Sequence, residues 1–186
     1  MPRIAIISPS VRKGRNSHRI ALYVNNLIRE TGMAEAEIID LAGYEFPIFN
    51  ERLKYQDSPG ESTLEFAGRI RASDGVVIIA PEYNGGYPAS LKNAIDLLTD
   101  EWRKKPVAFV TVSDGNFAGT QVIISLQFIF WKLGALTVPA TLRFPDIVNT
   151  FDEIGVPANK VSADKRTAAF IKELLWMIEA KTKMSH

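Results

Sequence analysis

The sequence contains no cysteine. That one absence removes disulfides, thiol redox chemistry, cysteine nucleophiles and thiolate metal sites together. Imidazole is almost as scarce, with only His18 and the chain's last residue, His186. A histidine-ligated metal centre or a Ser-His-Asp triad has too little to build on, so no metal is expected. Charge of one sign is also lacking. The 22 Lys and Arg against 21 Asp and Glu leave a formal charge of +1, without the basic footprint that binds nucleic acid or an anionic membrane. No apolar run reaches the length of a membrane span. The N-terminal residues lack the charged, apolar and small-residue series of a signal peptide. A soluble, cytoplasmic protein with neither nucleic-acid nor membrane partner is expected.

The 186 residues suffice for one full-sized domain with its own core. Short apolar runs alternate with helical patterns throughout, which predicts an α/β fold with a doubly wound parallel sheet. Strands are predicted at 4–7, 37–41, 76–80, 107–112 and 136–138. Helices are predicted over 18–30, stopped by Thr31-Gly32, from Pro88 through Leu98, over 120–133, closed by Gly134, and over 164–181. No repeat or low-complexity linker divides the chain, so residues 1–186 are read as one domain. The longest irregular stretch, 42–60, is either a flap over a site or a connection packed by Tyr44, Phe46 and Phe49.

In an open α/β sheet, ligands bind beyond the carboxyl ends of the strands, where strand order reverses. Three loops leave such ends. Glycine is scarce in the first, Ser8 to Ser17, where Gly14 stands alone. Both GxxxxGK[ST] and GxGxxG therefore fail, which disfavours an ATPase and a GxGxxG-type dehydrogenase. What the loop does hold is Ser8, Ser10, Asn16, Ser17 and the cations Arg12, Lys13 and Arg15, just before a helix. Unpaired N–H groups and the helix dipole favour an anion there, and arginine adds a bidentate fork for phosphate. Cations at a helix start oppose the dipole unless an anion lies between them. A hydroxyl-rich loop of this kind points to a mononucleotide such as FMN. The alternative is a solvated basic loop with Asn16 or Ser17 as N-cap.

The second loop is the most informative stretch of the chain. Pro81-Glu82-Tyr83-Asn84-Gly85-Gly86-Tyr87 follows a strand and runs into the helix at Pro88. Its glycine pair permits close backbone approach to a ligand, while Tyr83 and Asn84 offer an aromatic face and an amide. An Asx-type turn at Asn84 is the other reading. The third loop, Ser113 to Gly119, has amides that would suit the pyrimidine edge of a flavin, although Ser-Asp-Gly-Asn also spells a turn. Glu82 and Asp114 could pair as carboxylates, or cap helices and stay solvated; no catalytic acid or base is expected. His18 is read as a surface residue. Such poor acid–base equipment suits a reaction whose chemistry the cofactor supplies.

With these loops the chain resembles the NAD(P)H-dependent FMN reductase family. Pro9-Ser10-Val11-Arg12 with Asn16-Ser17 is similar to the family's Gly-Ser-x-Arg motif. Pro81 to Gly85 and Leu91 to Asp96 match Pro-Glu-Tyr-Asn-Gly and Leu-Lys-Asn-Ala-Ile-Asp without a gap. Ser113, Gly115, Gly119 and Leu133-Gly134-Ala135 follow its third pattern, and Phe151-Asp152-Glu153 is also similar. The resemblance implies a flavodoxin-like sheet of order 2-1-3-4-5 and bound FMN. It implies hydride taken from NADPH or NADH, and a small-molecule acceptor such as a flavin, quinone, azo dye or metal oxyanion. It implies a homodimer or homotetramer.

By the same resemblance Ser10, Arg12 and Ser17, beside Asn16, hold the phosphate. Glu82, Tyr83, Asn84 and Gly85, following Pro81, contact the ring and ribityl chain, and Ser113 and Gly115 close the other side. A flavodoxin-like electron carrier, or a non-enzymatic relative acting through protein contacts, are the rival readings. The chain departs from the family at Pro9, which brings no N–H where glycine is usual. Tyr87 would cover the flavin or serve an interface, and Ala118 replaces a glycine. Trp102, Trp131 and Phe128-Ile129-Phe130 are candidates for either an oligomer interface or the core.

Overall fold

The computed structural model describes residues 1–115 and 118–184; Asn116 and Phe117 of the third loop, and Ser185 and His186, lie outside the described residues. Three segments are largely apolar and, Arg3 aside, buried on both faces: β1 (Arg3–Ser8), β3 (Gly75–Pro81) and β4 (Pro106–Val112). Such continuous runs suit strands covered on both faces, and these three form the centre of a parallel sheet of order β2-β1-β3-β4-β5. The edges are β2 (Glu35–Asp40) and β5 (Leu136–Phe144). This is the flavodoxin-like order expected.

Two helices cover one face: α1 (Ser17–Thr31) and the C-terminal α6 (Lys160–Met184). The other carries α2 (Glu61–Ala72), α3 (Ala89–Leu97) and α4 (Thr120–Lys132). The short α5 (Ile147–Thr150) follows β5. Gly32 ends α1 in the left-handed conformation at φ 62°, as the Thr31-Gly32 stop predicts. Trp102 and Phe130 are core residues, joined edge-to-face at 5.2 Å.

Several boundaries differ from those the sequence predicts. β2 begins at Glu35, and Leu41 opens a single 3-10 turn instead of ending the strand. β5 runs on to Phe144, because the ladder slips around Pro139: Val107 pairs with Thr137, but Phe109 pairs with Thr141. Proline cannot donate to a ladder and is confined to edges and bulges, which is why the sequence signal stops there. α6 starts at Lys160, and α2 has no counterpart among the predicted helices. The stretch 42–60 is a packed connection, since Tyr44, Phe46 and Phe49 lie against the core. Asn93 of α3 pins it, accepting from Phe49 N–H at 2.6 Å and donating to the Pro47 carbonyl at 2.9 Å.

Candidate flavin site

Because the strands are parallel, the loops after β1, β3 and β4 all leave the same edge of the sheet. β1 is flanked by β2 on one side and β3 on the other, so the first two loops meet where the winding reverses. There a cleft is lined by Arg12, Gly14, Arg15, Asn16 and Ser17, by Pro81, Glu82 and Tyr83, and by Val112, Ser113, Asp114 and Ile147. Seven sequence-predicted residues thus share one cleft: Arg12, Asn16, Ser17, Pro81, Glu82, Tyr83 and Ser113. Ser10, Asn84, Gly85 and Gly115 do not line it.

The first loop is organised around buried hydroxyls. Ser10 is fully buried; its Oγ lies 2.6 Å from the Tyr83 hydroxyl and accepts from Arg12 N–H at 3.4 Å. That contact joins the first loop to the second. Ser90 of α3 donates to the Pro9 carbonyl at 2.6 Å, fixing the loop where it leaves the strand. Asn16 precedes α1 without a side-chain cap. Ser17 is buried, and its Oγ has no hydrogen-bond partner. A buried hydroxyl left unpaired is costly; here it sits at the N-terminus of a fifteen-residue helix, where an anion is favoured. Together with Arg12, exposed and in no ion pair among the described residues, this is a donor set that fits a flavin phosphate.

The three cations differ in their availability. Arg15 is not open to a ligand: both terminal nitrogens chelate the Asp40 carboxylate at the end of β2. Lys13 is exposed and does not line the cleft. Arg12 alone both lines the cleft and remains unpaired. The expectation that three cations await an anion is corrected to one, because a partly buried guanidinium takes the nearest carboxylate.

His18 also corrects the sequence reading. It is half-buried, with Nδ1 2.9 Å from Ser8 Oγ and 3.8 Å from Asp40 Oδ2. Burial is the main influence and pushes the imidazole below its ordinary 6.5, with Asp40 opposing and Arg15 assisting. Asp40 is itself partly buried, which favours its neutral form, but Arg15, the Ala42 N–H and His18 outweigh burial and hold its carboxyl below the usual range. The lowered imidazole makes a checkable pH dependence. The unfolded chain binds a proton near 6.5, the folded chain only at lower pH, so stability falls as pH drops through about 6.5 toward the folded value. In His18→Gln the thermal midpoint should change less between about pH 7.5 and 5.5 than in the wild type.

The second loop is a reversed turn. Tyr83 and Gly86 exchange both backbone hydrogen bonds, at 2.7 and 3.0 Å, and Asn84 and Gly85 take φ of 51° and 79°. Two positive φ values at the centre define a type I′ turn, for which Asn-Gly is the favoured pair. The Asx reading is set aside, for the Asn84 side chain is exposed and makes no hydrogen bond among the described residues. Tyr87 packs against the core on the face covered by α2, α3 and α4 and does not line the cleft. In the third loop Ser113 donates to the Gly115 carbonyl at 2.8 Å. Ala118 takes φ 51°, a conformation that costs an L-residue about 1–2 kcal/mol; Thr111 Oγ1 holds it by donating to its carbonyl at 2.5 Å. Val112 and Ile147 form apolar wall that the sequence did not single out, since nothing local marks an apolar strand end as lining a site.

Residues 2–147 match the model of the NADPH-dependent FMN reductases. The chain belongs to that family. An NAD(P)H-dependent FMN reductase of Schizosaccharomyces pombe is 34% identical over 153 residues, covering 75% of this chain and 72% of its own length. A quinone reductase of Pseudomonas putida is 34% identical over 122 residues, 62% of each chain. Among solved structures, the NAD(P)H:(acceptor) oxidoreductase FerB of Paracoccus denitrificans superposes with a TM-score of 0.78. At 24% identity over 96% of this chain and 98% of that one, it bears on the fold. The family's Pro-Glu-Tyr-Asn-Gly motif is, in this member, the strand end and type I′ turn just described.

Proposed function

We propose that this family member is an FMN-dependent NAD(P)H oxidoreductase acting on a small-molecule acceptor of the flavin, quinone or azo class. One observation carries the reading: the loops after β1, β3 and β4 share a cleft where the buried Ser17 hydroxyl and the free Arg12 guanidinium await an anion. Relatives named FMN reductase, quinone reductase and azoreductase point the same way. Ser17, Asn16 and the first amides of α1 would hold the phosphate, with Arg12 supplying charge and Ser10 keeping the loop tied to Tyr83. Pro81, Glu82 and Tyr83 would bound the ring and ribityl chain from one side and Ser113 from the other, while the Asn84-Gly85 turn and Gly115, which do not line the cleft, would meet the cofactor only at its rim. Bound FMN would supply the redox chemistry between NADPH or NADH and the acceptor, for which the cleft offers no side chain of its own among the described residues. The chain's own part is to bind, orient and shield. The same proposal treats residues 1–186 as one flavin-binding unit working in the cytoplasm, where its reductant is found.

The test is oxidation of NADH and NADPH by FMN-loaded protein with a benzoquinone, an azo dye or free riboflavin as acceptor. Turnover with at least one acceptor is expected. Tight FMN binding without any NAD(P)H oxidation would sink the enzyme reading in favour of the electron carrier.

Assembly with a second copy is part of the proposal. Along α4, Ile124, Phe128 and Trp131 are 73%, 61% and 66% exposed. They recur at i, i+4 and i+7, so they form one apolar stripe, and isolated chains seldom leave such a stripe in water. Phe128→Glu combined with Trp131→Glu should convert a dimer or tetramer to monomer by light scattering. An unchanged mass would place the contact elsewhere.

A further inference from the structure

The first loop must keep its curvature with little internal help. Pro9 contributes no N–H, and Asn16 provides no cap. Arg15 does the closing. Its Nη1 donates to the Ser10 carbonyl at 2.7 Å, bridging five residues, while the same guanidinium grips both oxygens of Asp40. Asp40 in turn accepts from Ala42 N–H at 3.1 Å, so the carboxylate is anchored to the backbone beyond β2. His18 stands on its other side at 3.8 Å. With side-chain exposures of 19% for Arg15 and 31% for Asp40, the pair is shielded enough to outweigh an ordinary surface bridge. A planar fork meeting a carboxylate fixes orientation as well as distance.

We infer that Asp40 is a positioning residue for the flavin phosphate: acting through Arg15, it locks the loop from Ser10 to Arg15 in its anion-binding shape. The inference rests on the flavin reading above and adds to it a residue on a different strand, outside the three loops. Two roles for Arg15 predict opposite signs. If Arg15 were a phosphate ligand that Asp40 merely restrains, removing the Asp40 charge would release it and tighten FMN binding. If the pair is a clamp, the same change loosens the loop and weakens binding, since a supporting shell that slips by about 1 Å degrades the site it holds.

The experiment is a fluorescence titration of cofactor-free wild type, Asp40→Asn, Arg15→Gln and the double variant, each with FMN and with riboflavin, which lacks the phosphate. Asp40→Asn and Arg15→Gln should each raise the FMN Kd about tenfold while moving the riboflavin Kd less than about twofold. The double variant should be no worse than either single one, because the two residues act as a unit. A general loss of structure would weaken both ligands alike, and that outcome overturns the inference, as does tighter FMN binding in Asp40→Asn. Should Asp40→Asn fail to fold, Arg15→Gln carries the same comparison. A wild type that prefers FMN over riboflavin, with variants unchanged, refutes the clamp alone. A wild type with no such preference removes the flavin-phosphate reading and the clamp with it.

Discussion

Arg12→Ala is expected to bind FMN about a hundredfold more weakly than the wild type, a loss of about 2.7 kcal/mol. The size follows from what the side chain is and is not doing. Arg12 lines the cleft and pairs with no carboxylate among the described residues, so its whole charge is available to a phosphate. A charge-assisted, bidentate contact is roughly twice as strong as a neutral one. Arg15 cannot substitute, being engaged with Asp40. Lys13 provides the contrast: equally charged and exposed but off the cleft, its alanine variant should lose less than about threefold. Fluorescence quenching of FMN on titration measures both. Equal, small losses in the two variants would mean that the loop attracts anions by general charge, with no directed contact.

Gly155→Ala should be the most damaging small substitution in the chain, by about 3–4 kcal/mol. Gly155 has φ +84°, already unfavourable for alanine, and a Cβ there would lie 2.5 Å from the Arg19 carbonyl oxygen and 2.9 Å from Tyr23 N. Both obstacles are backbone atoms of α1, which cannot swing aside as a flexible side chain would. The hairpin closed by Phe151 and Pro157 is meanwhile tied down: Arg19 donates to the Phe151 carbonyl at 2.8 Å, and the Phe151 ring packs 5.1 Å from both Tyr23 and Phe144. The methyl group must therefore prise the hairpin off the helix. A fall in thermal midpoint of about 10 °C is expected for a chain of this length. Gly14→Ala isolates the conformational part, since φ is +69° there but nothing lies within 4 Å of the added atom; only about 1 kcal/mol should be lost. If the two variants melt together, close packing at Gly155 is not what makes it necessary.

How much was readable in the sequence depended on burial. β1, β3 and β4 are covered on both faces and appear as near-continuous apolar runs. At the edges the signal weakens: β2 alternates around Glu35 and Glu37, and β5 is interrupted by Pro139. For α2 the signal existed. Thr63, Phe66, Ala67 and Ile70 recur at helical spacing on its buried face, although the polar residues between them and Gly68 dilute it. The three loops of the candidate site stood out because each follows an apolar strand and gathers hydroxyls, amides or cations there, although two of them also spell turns. The Asp40–Arg15 clamp was not, for it joins a loop to a strand end 25 positions away, a pairing created by β1 and β2 lying side by side. Nor was the involvement of His18, whose surroundings come from the same juxtaposition.

The two sheet edges have a consequence for how this protein can associate. A bare edge is a template on which another chain can lay a strand and begin an ordered aggregate. Here the β4–β5 ladder slips around Pro139, an irregularity of the kind that twists an edge away from pairing, and proline has no N–H to offer an incoming strand. On β2 the Arg69 guanidinium of α2 donates to the Ile38 carbonyl at 2.8 Å and pairs with Glu37 at 2.9 Å, so that edge presents a salt bridge where a free acceptor would be. Each edge thus carries a local feature that opposes sheet extension, the common road to fibrils for an exposed parallel edge. If the proposed assembly forms, its contacts would fall to the helical faces, where they could be broken and remade without unravelling the sheet that carries the cleft.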